Sequence, residues 1–150
     1  EKIVSEIPDV CIGVDVIVGF PGETDELFHS TLNFIKELPI SYLHVFSYSE
    51  RENTLAATFE GVVPKQKRAE RSKKLRILSD KLQRAHYQKY LGTTQTALME
   101  QENKNGFLFG FTDNYIKVKI PYSKELMQKK IKIKLLSFDE NGQIISEKIN

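Results

Sequence analysis

Residues 11–20, Cys-Ile-Gly-Val-Asp-Val-Ile-Val-Gly-Phe, form a short, almost wholly apolar run rich in β-branched side chains. Such a run is typical of a strand buried on both faces of a parallel sheet. A helix is predicted next, because Thr24 can cap it, acidic residues suit its first turn and Pro39 ends it. Residues 41–48 then predict a second strand, which completes the strand–helix–strand unit of α/β folds.

One such unit leaves the apolar faces and edges of its two strands uncovered. Further parallel strands would have to flank it to make a stable domain. We therefore expect residues 1–63 to be part of a larger α/β domain whose N-terminal portion is missing from this sequence.

The pattern changes twice after residue 63. Residues 64–90 predict one long helix, with Pro64 in its first turn, apolar residues at helical spacing and Gly92 at its end. Short strands follow, separated by Asn-, Asp- and Gly-rich turns, at residues 94–102, 107–111, 115–120, 130–138 and 143–149. Five short strands in about 60 residues predict a small antiparallel β-barrel. The predicted division is thus 1–63, 64–91 and 92–150.

The net charge of +2 is the sum of three unlike segments. Residues 1–63 carry three basic against eleven acidic side chains, a charge of −8. Residues 64–91 carry ten basic against two acidic side chains, a charge of +8, and residues 92–150 carry +2. The basic helix therefore predicts either a phosphate-binding surface or a counter-charge that packs on the acidic first segment.

Composition excludes several kinds of site. The single cysteine, Cys11, cannot supply the thiolates of a zinc or iron–sulfur centre, and no nucleophilic catalytic arrangement is evident, so we predict no catalytic residue and no metal ligand here. No apolar run is long enough to cross a bilayer, and no export signal opens the chain. We expect a cytoplasmic protein with no membrane partner.

Ligand-binding residues are predicted where the two parallel strands end. Gly19, Phe20, Pro21, Gly22 and Glu23 connect the first strand to its helix, where glycines let a ligand approach the backbone and Glu23 offers a carboxylate. The alternative is a tight turn that merely requires glycine and proline.

Ser47, Tyr48 and Arg51 follow the second strand, at the same rim of the sheet. Arg51 could hold a carboxylate or phosphate, and the two hydroxyl groups could position a polar ligand edge. The alternative is an exposed loop on which Arg51 pairs with a neighbouring acid.

Candidate RNA-binding residues lie on the basic helix and in the barrel. They combine cations for the phosphate backbone with an outward aromatic ring for base stacking. They are Lys67, Arg68, Arg71, Lys74, Lys104, Tyr115, Lys117 and Lys119. The nearby Phe107, Phe109 and Phe111 either join this surface or fill the barrel core.

Residues 13–24, Gly-Val-Asp-Val-Ile-Val-Gly-Phe-Pro-Gly-Glu-Thr, and residues 43–51, Leu-His-Val-Phe-Ser-Tyr-Ser-Glu-Arg, resemble the later part of radical-SAM tRNA methylthiotransferases. The resemblance covers nearly the whole chain, because that family ends in a basic helix and a small TRAM β-barrel. The sequence of residues 43–49 is more similar to the branch acting on threonylcarbamoyladenosine (MtaB-type) than to the branch acting on isopentenyladenosine (MiaB-type).

The resemblance implies a fold class of α/β plus small all-β: the C-terminal part of a radical-SAM (partial TIM) barrel, a linker helix and a five-stranded antiparallel, OB-like TRAM barrel. It implies an enzyme that adds a methylthio group to C2 of an adenosine next to the tRNA anticodon, using S-adenosylmethionine and two four-iron four-sulfur clusters. Its partners would be the tRNA anticodon stem-loop and the missing N-terminal part of the same polypeptide.

The family's C-x-x-x-C-x-x-C motif is absent, so the resemblance implies that this chain alone is inactive. On matching positions, Gly19 to Glu23 would line the S-adenosylmethionine pocket, with Ser47, Tyr48 and Arg51 nearby. The family follows that arginine with Pro-Gly-Thr, whereas this chain has Glu52-Asn53-Thr54. The loop must therefore turn without proline or glycine.

Two other functions remain open from the sequence. The chain could act only as an RNA-binding module, with residues 1–63 as a remnant. It could also belong to a radical-SAM enzyme acting on a small molecule, because Gly-Phe-Pro-Gly-Glu-Thr turns occur beyond tRNA enzymes.

Overall fold

The computed structural model describes residues 2–149, which form two compact units. The first unit contains residues 2–6 and 12–83, and the second contains residues 7–11 and 84–149. The long helix contributes residues to both units, so the charge-based segments and the compact units divide the chain at different places.

The first unit is built on a parallel strand pair. Strand β1 (Gly13–Val18) and strand β2 (Tyr42–Ser47) pair from Gly13↔Tyr42 to Val18↔Ser47. Helix α2 (Asp25–Glu37) connects them, with the Thr24 hydroxyl accepting a hydrogen bond from the Leu27 amide at its N-terminus. A short helix, α1 (Lys2–Glu6), precedes the strands. The predicted strand–helix–strand unit is therefore present, with its strands parallel.

Within the described residues, β1 is buried on one face only, which agrees with the expectation that one strand–helix–strand unit leaves an apolar face uncovered. Val14, Val16 and Val18 pack toward the core, whereas Asp15 and Ile17 are exposed. The reason is that helices cover one face of the pair only. The core beneath that face is small and consists of Val18, Phe28, Ile35, Leu43 and Leu75.

Helix α3 (Lys65–Gln88) agrees with the predicted long helix to within two residues at its C-terminus. The Arg68 amide donates to the Pro64 carbonyl, which places Pro64 at the helix start, where its missing N–H costs nothing. Gly92 adopts a left-handed backbone shortly after the helix ends.

The second unit is a closed barrel in the order β3-β4-β5-β7-β6. Its strands are β3 (Thr94–Lys104), β4 (Phe107–Thr112), β5 (Lys117–Pro121), β6 (Lys130–Phe138) and β7 (Ile144–Lys148). Two short 3₁₀ turns also occur in the chain, at Leu55–Thr58 and Lys124–Leu126.

The predicted antiparallel barrel is wrong in one pairing, because β5 and β7 run parallel and the sheet is mixed. The other four pairings are antiparallel. The cause is topological: direction cannot alternate all the way round a closed ring of five strands, so at least one neighbouring pair must be parallel.

The barrel interior is filled by alternate residues of its strands. Ile116, Val118 and Ile120 point inward as predicted and are at most 2 % exposed. They pack with the other members of this core: Tyr87, Ala97, Met99, Leu108, Ile133, Leu135 and Ile144. The intervening residues of each strand therefore face away from this core.

Candidate functional site

The loop that follows β1 is held closed by its own backbone and by Glu23. The Gly19 amide donates to Glu23 Oε2 at 2.6 Å, and the Gly22 amide donates to the Gly61 carbonyl at 2.8 Å. Gly19 and Gly22 both have positive φ, of 78° and 86°. The glycines therefore serve the turn geometry, as the structural alternative predicted.

Arg71 of helix α3 fixes this loop from the side. Its Nη1 donates to Glu23 Oε2 at 2.6 Å and to the Glu23 carbonyl at 3.0 Å, and its Nη2 donates to Asp25 Oδ1 at 2.8 Å. Its side chain is 4 % exposed. Hydrogen bonds from Lys67 and then Arg71 lower the pKa of Asp25 to about 2. The two carboxylates therefore compensate a guanidinium that has left water.

Arg68 plays a parallel part at the end of β2. Its guanidinium donates to the carbonyl oxygens of Val63 (2.7 Å) and Tyr48 (2.9 Å) and to the Glu50 carboxylate. The hydrogen bond from Arg68 lowers the pKa of Glu50 to about 2. The aliphatic part of Arg68 lies against Gly19, where an added Cβ would be 2.3 Å from Arg68 Cγ. One arginine therefore ties together the ends of both strands.

Aromatic side chains gather at the same rim. The Phe20 ring packs edge-on against Tyr48 at 5.2 Å and Phe59 at 6.0 Å between ring centroids. The buried Tyr48 hydroxyl has no hydrogen-bond partner within the described part of the chain. Ser47 and Arg51 are exposed, and Ser47 lies in a cleft with Ser72, Lys73 and Arg76 of helix α3. The rim therefore combines a partly exposed aromatic surface with a buried hydroxyl that has no described partner.

The loop after Arg51 turns without proline or glycine because Asn53 adopts the left-handed conformation, with a φ of 63°. Asparagine tolerates this region better than most residues with a Cβ. The Thr54 hydroxyl donates to the Arg51 carbonyl at 2.8 Å and closes the turn. The departure from Pro-Gly-Thr is thus accommodated locally.

The barrel presents cations and aromatic rings on the outer face of β4 and β5. Lys117 Nζ lies 5.5 Å from the Phe109 ring centroid and 5.7 Å from that of Phe111. Tyr115 is exposed and stacks on Phe111 at 5.0 Å. The three phenylalanines of β4 are half-buried on this face, so they belong to the surface rather than to the enclosed core.

Lys104 and Lys119 differ in their surroundings. Lys104 is exposed and pairs with the exposed Glu102 at 2.8 Å. Lys119 pairs with Asp139, and their side chains are only 12 % and 8 % exposed. Hydrogen bonds from Lys119 first, and then from the Gln143 and Asn141 amides, lower the pKa of Asp139. Lys119 therefore joins β5 to the turn between β6 and β7.

Sequence reasoning missed a basic stripe on β6. Lys130, Lys132 and Lys134 are exposed, while Ile133 and Leu135 are buried in the barrel. The signal was available in the alternation Lys-Ile-Lys-Ile-Lys-Leu at residues 130–135, which places every second residue on one face of a strand.

Neither a metal-binding group nor a membrane-spanning helix is present within residues 2–149. No cluster of three or more His, Cys, Asp or Glu side chains there could hold a metal ion. Among the described helices, none is both long and apolar enough to cross a bilayer.

The sequence profile of the TRAM domain matches residues 88–141. Over 140 residues, the chain is 41 % identical to the threonylcarbamoyladenosine tRNA methylthiotransferase MtaB of Bacillus subtilis, with 90 % of this chain and 31 % of the relative covered. It is 40 % identical over 124 residues to the protein of the same name from Aquifex aeolicus, covering 83 % of this chain and 29 % of that protein. The tRNA-2-methylthio-N(6)-dimethylallyladenosine synthase of Bacillus cereus is 35 % identical over 153 residues, with 99 % and 30 % covered.

These matches support a C-terminal, TRAM-containing fragment of a tRNA methylthiotransferase. The chain spans about a third of the length of the curated relatives it matches. The resemblance inferred from residues 13–24 and 43–51 is therefore confirmed, and the TRAM assignment is confirmed for residues 88–141.

The predicted S-adenosylmethionine residues fall into separate groups in the structure. Gly19, Gly22 and Glu23 are occupied in closing the loop, Phe20 and Tyr48 form the aromatic rim, and Ser47 and Arg51 are exposed after β2. Pro21 is half-buried between the two glycine-containing turns. The role of all eight in ligand binding stays a prediction.

The predicted RNA-binding residues of helix α3 also fall into two groups. Arg68 and Arg71 are buried against the acidic loops, as the counter-charge alternative predicted. Lys67 pairs with Asp25 at 2.5 Å but is partly exposed, and Lys74 is exposed with its Nζ 5.9 Å from the Phe28 ring centroid. Their contact with RNA stays a prediction, and the geometry favours the two lysines over the two arginines.

Proposed function

We propose that this chain is the C-terminal part of a radical-SAM enzyme that adds a methylthio group to C2 of threonylcarbamoyladenosine next to the anticodon of tRNA. The observation that carries the proposal is 41 % identity to a threonylcarbamoyladenosine tRNA methylthiotransferase across 90 % of the chain. Two relatives with that name are 41 % and 40 % identical, whereas six relatives named for dimethylallyladenosine are 32–35 % identical. These identities support the threonylcarbamoyl branch.

The rim of the first unit fits part of an S-adenosylmethionine pocket. The buried Tyr48 hydroxyl has no described partner, and the Phe20 ring beside it is exposed enough to contact an adenine. Ser47 and Arg51 would contact the polar parts of the cofactor. S-adenosylmethionine, when bound, supplies the radical and the methyl group of such a reaction.

Glu23 has a different part in this proposal. Its carboxylate accepts hydrogen bonds from the Gly19 amide and from Arg71, so it positions the loop. The cofactor would then approach the exposed Phe20 and Gly22 of this loop, because Gly19 is buried against Arg68.

The two iron–sulfur clusters do not fit this chain, because Cys11 is its only cysteine. The cluster ligands would come from the N-terminal part of the polypeptide. We therefore propose that residues 1–63 complete the cofactor pocket, residues 64–91 form the linker helix and residues 92–150 bind the tRNA anticodon stem-loop, in a cytoplasmic enzyme that is inactive as this chain alone.

A chimera tests the activity. This chain replaces the matching segment of the Bacillus subtilis MtaB relative in cells lacking that protein, and nucleosides from the digested tRNA are measured by mass spectrometry. We expect the methylthio derivative of threonylcarbamoyladenosine to be restored. A chimera with Phe20→Ala and Tyr48→Phe should be expressed equally well but restore much less of it. The surface variant Lys2→Gln serves as the matched control and should restore it fully.

Two results would contradict the proposal. A chimera that is expressed and folded but leaves threonylcarbamoyladenosine unmodified would contradict the proposed activity. Methylthiolation of dimethylallyladenosine instead would keep the chemistry and move the chain to the other branch.

A further inference from the structure

Four outward residues form a row across the barrel, at right angles to its strands. Leu98 on β3 pairs with Lys130 on β6 and with Phe111 on β4, and Phe111 pairs with Lys117 on β5. Along β3 the flanking Ala97 and Met99 are buried, which fixes the outward direction of Leu98. The order is thus cation, aliphatic, aromatic, cation, and we name it the Leu98 row.

The centre of the row is exposed although it is apolar. Leu98 is 52 % exposed, and Phe111 is half-buried with the exposed Tyr115 stacked on it at an interplanar angle of 27°. A cleft of about 460 Å³ opens here, lined by Leu98, Met99, Glu100, Gln101, Phe111 and Gln128. A volume of this size can receive a flat heteroaromatic group.

The two ends of the row indicate the charge of the occupant. Neighbouring strands lie about 4.8 Å apart, so roughly 14 Å of barrel surface separates β6 from β5. Lys130 is continued by Lys132 and Lys134 on the same face of β6, and Lys117 lies over the rings of β4. A ligand with a flat apolar face and negative charges on both sides matches this arrangement, whereas an apolar peptide would gain nothing from the lysines.

We propose that the Leu98 row is a nucleotide platform, on which one unpaired base of an RNA strand lies over Leu98 and Phe111 while the adjoining phosphates contact Lys130 and Lys117. Gln101, Gln128 and Glu100 supply amide and carboxylate groups at the edge of the cleft, where a base presents its own donors and acceptors. The inference rests on the proposed RNA-binding function of the barrel and adds a base-dependent contact to it.

The test separates base contact from phosphate contact. The full chain is titrated into fluorescein-labelled decauridylate and into an abasic ribose–phosphate chain of the same length, with binding followed by fluorescence anisotropy. Stacking one base contributes enough that the wild type should bind decauridylate about 5-fold or more tightly than the abasic chain. Leu98→Ala and Phe111→Leu should bring this ratio close to one.

Controls distinguish the contributions. Lys130→Gln should weaken binding of both oligomers by a similar factor, because both carry phosphates. Leu136→Ala replaces another exposed barrel leucine, outside the row, and should change neither affinity. Phe111→Leu keeps an apolar side chain on β4, and circular dichroism of each variant checks that it is folded.

Each outcome has a separate meaning. Equal affinity of the wild type for both oligomers, or a ratio unchanged by Leu98→Ala and Phe111→Leu, would overturn the platform while the proposed RNA binding stands. Failure of the wild type to bind either oligomer would overturn the RNA-binding proposal and the platform with it.

Discussion

At the residue scale, two arginines of helix α3 stabilise the fold through ion pairs. Arg68 and Arg71 are buried, and every carboxylate they contact lies in the acidic first segment. The opposite charges of residues 1–63 and 64–91 thus reflect specific ion pairs, which fix the loops at the strand ends.

Gly19 should be the most sensitive glycine of its loop. Gly19→Ala forces a Cβ into Arg68 Cγ and into a left-handed backbone, so we expect a loss of about 2–4 kcal/mol in the free energy of unfolding. Urea denaturation measures it. Gly22→Ala is the matched control, because φ there is also positive but nothing lies within 4 Å of the added Cβ. Equal losses in the two variants would refute the contact with Arg68.

The acidic partners of these arginines predict a dependence of stability on pH. The pKa values of Asp25 and Glu50 are lowered to about 2 in the folded chain. Since a lowered pKa favours the folded state only while the group is ionised, this stabilisation is complete above about pH 5 and is lost as the pH falls toward 2. Urea midpoints at pH 7, 4 and 2.5 should fall in that order.

The control for the pH series is Asp25→Asn, which removes one titrating group. Its urea midpoint should decline less steeply between pH 5 and 2.5 than that of the wild type. A decline of the same steepness would show that Asp25 does not contribute.

At the scale of elements, helix α3 covers the edge of β2. The Ser79 hydroxyl accepts from the Leu43 amide at 2.8 Å and donates to the Leu43 carbonyl at 3.1 Å. Groups bonded in this way are not free to pair with another strand. Further strands of a larger sheet would therefore join at β1 rather than at this position of β2.

Ser79→Ala tests the contribution of the two hydrogen bonds between Ser79 and the Leu43 backbone. Alanine favours the helix, but the variant leaves two polar groups of the buried Leu43 without their partner. We expect a net loss of about 1–3 kcal/mol in the free energy of unfolding, measured by urea denaturation. Ser30→Ala on the exposed face of α2 should change it by less than about 0.5 kcal/mol. A loss as small for Ser79→Ala would contradict the role of the hydroxyl.

In the barrel, side-chain orientation and strand direction depend on different amounts of sequence. The alternation in residues 116–120 predicted which side chains point inward. Whether neighbouring strands run parallel or antiparallel depended on all five strands. Strand pattern is local, whereas closure is a property of the whole set.

At the scale of the whole molecule, the first unit has an uncovered apolar sheet face. Ile17 and Phe46 are cross-strand partners and are 60 % and 52 % exposed. Such a face is typical of a surface that another part of the protein covers. In the proposed enzyme, the N-terminal part of the polypeptide would cover it.

The isolated chain should therefore self-associate through this face. We expect sedimentation velocity to show a concentration-dependent increase in mean mass, and Ile17→Thr with Phe46→Thr to reduce it while keeping strand propensity. Leu55→Thr is the control, because Leu55 is exposed but lies outside the sheet. A chain that stays monomeric at every concentration would argue against an unfilled interface.

The sequence by itself determined the strand–helix–strand unit, the long helix, the short-stranded barrel and the family. These follow from local signals: apolar periodicity, capping residues, turn residues and two motif segments whose order is preserved. The eight cofactor positions and eight RNA positions were also predicted from local pattern, and their roles stay predictions.

Only the tertiary structure decided which charged residues are buried and which surfaces are assembled. Arg71 reaches Glu23 across 48 residues, Lys119 pairs with Asp139 across 20, and the Leu98 row draws on four strands. Such contacts depend on how elements pack, which a local pattern does not encode. The same reason explains the parallel β5–β7 pair, because the direction of a strand relative to its neighbour is fixed only when the barrel closes.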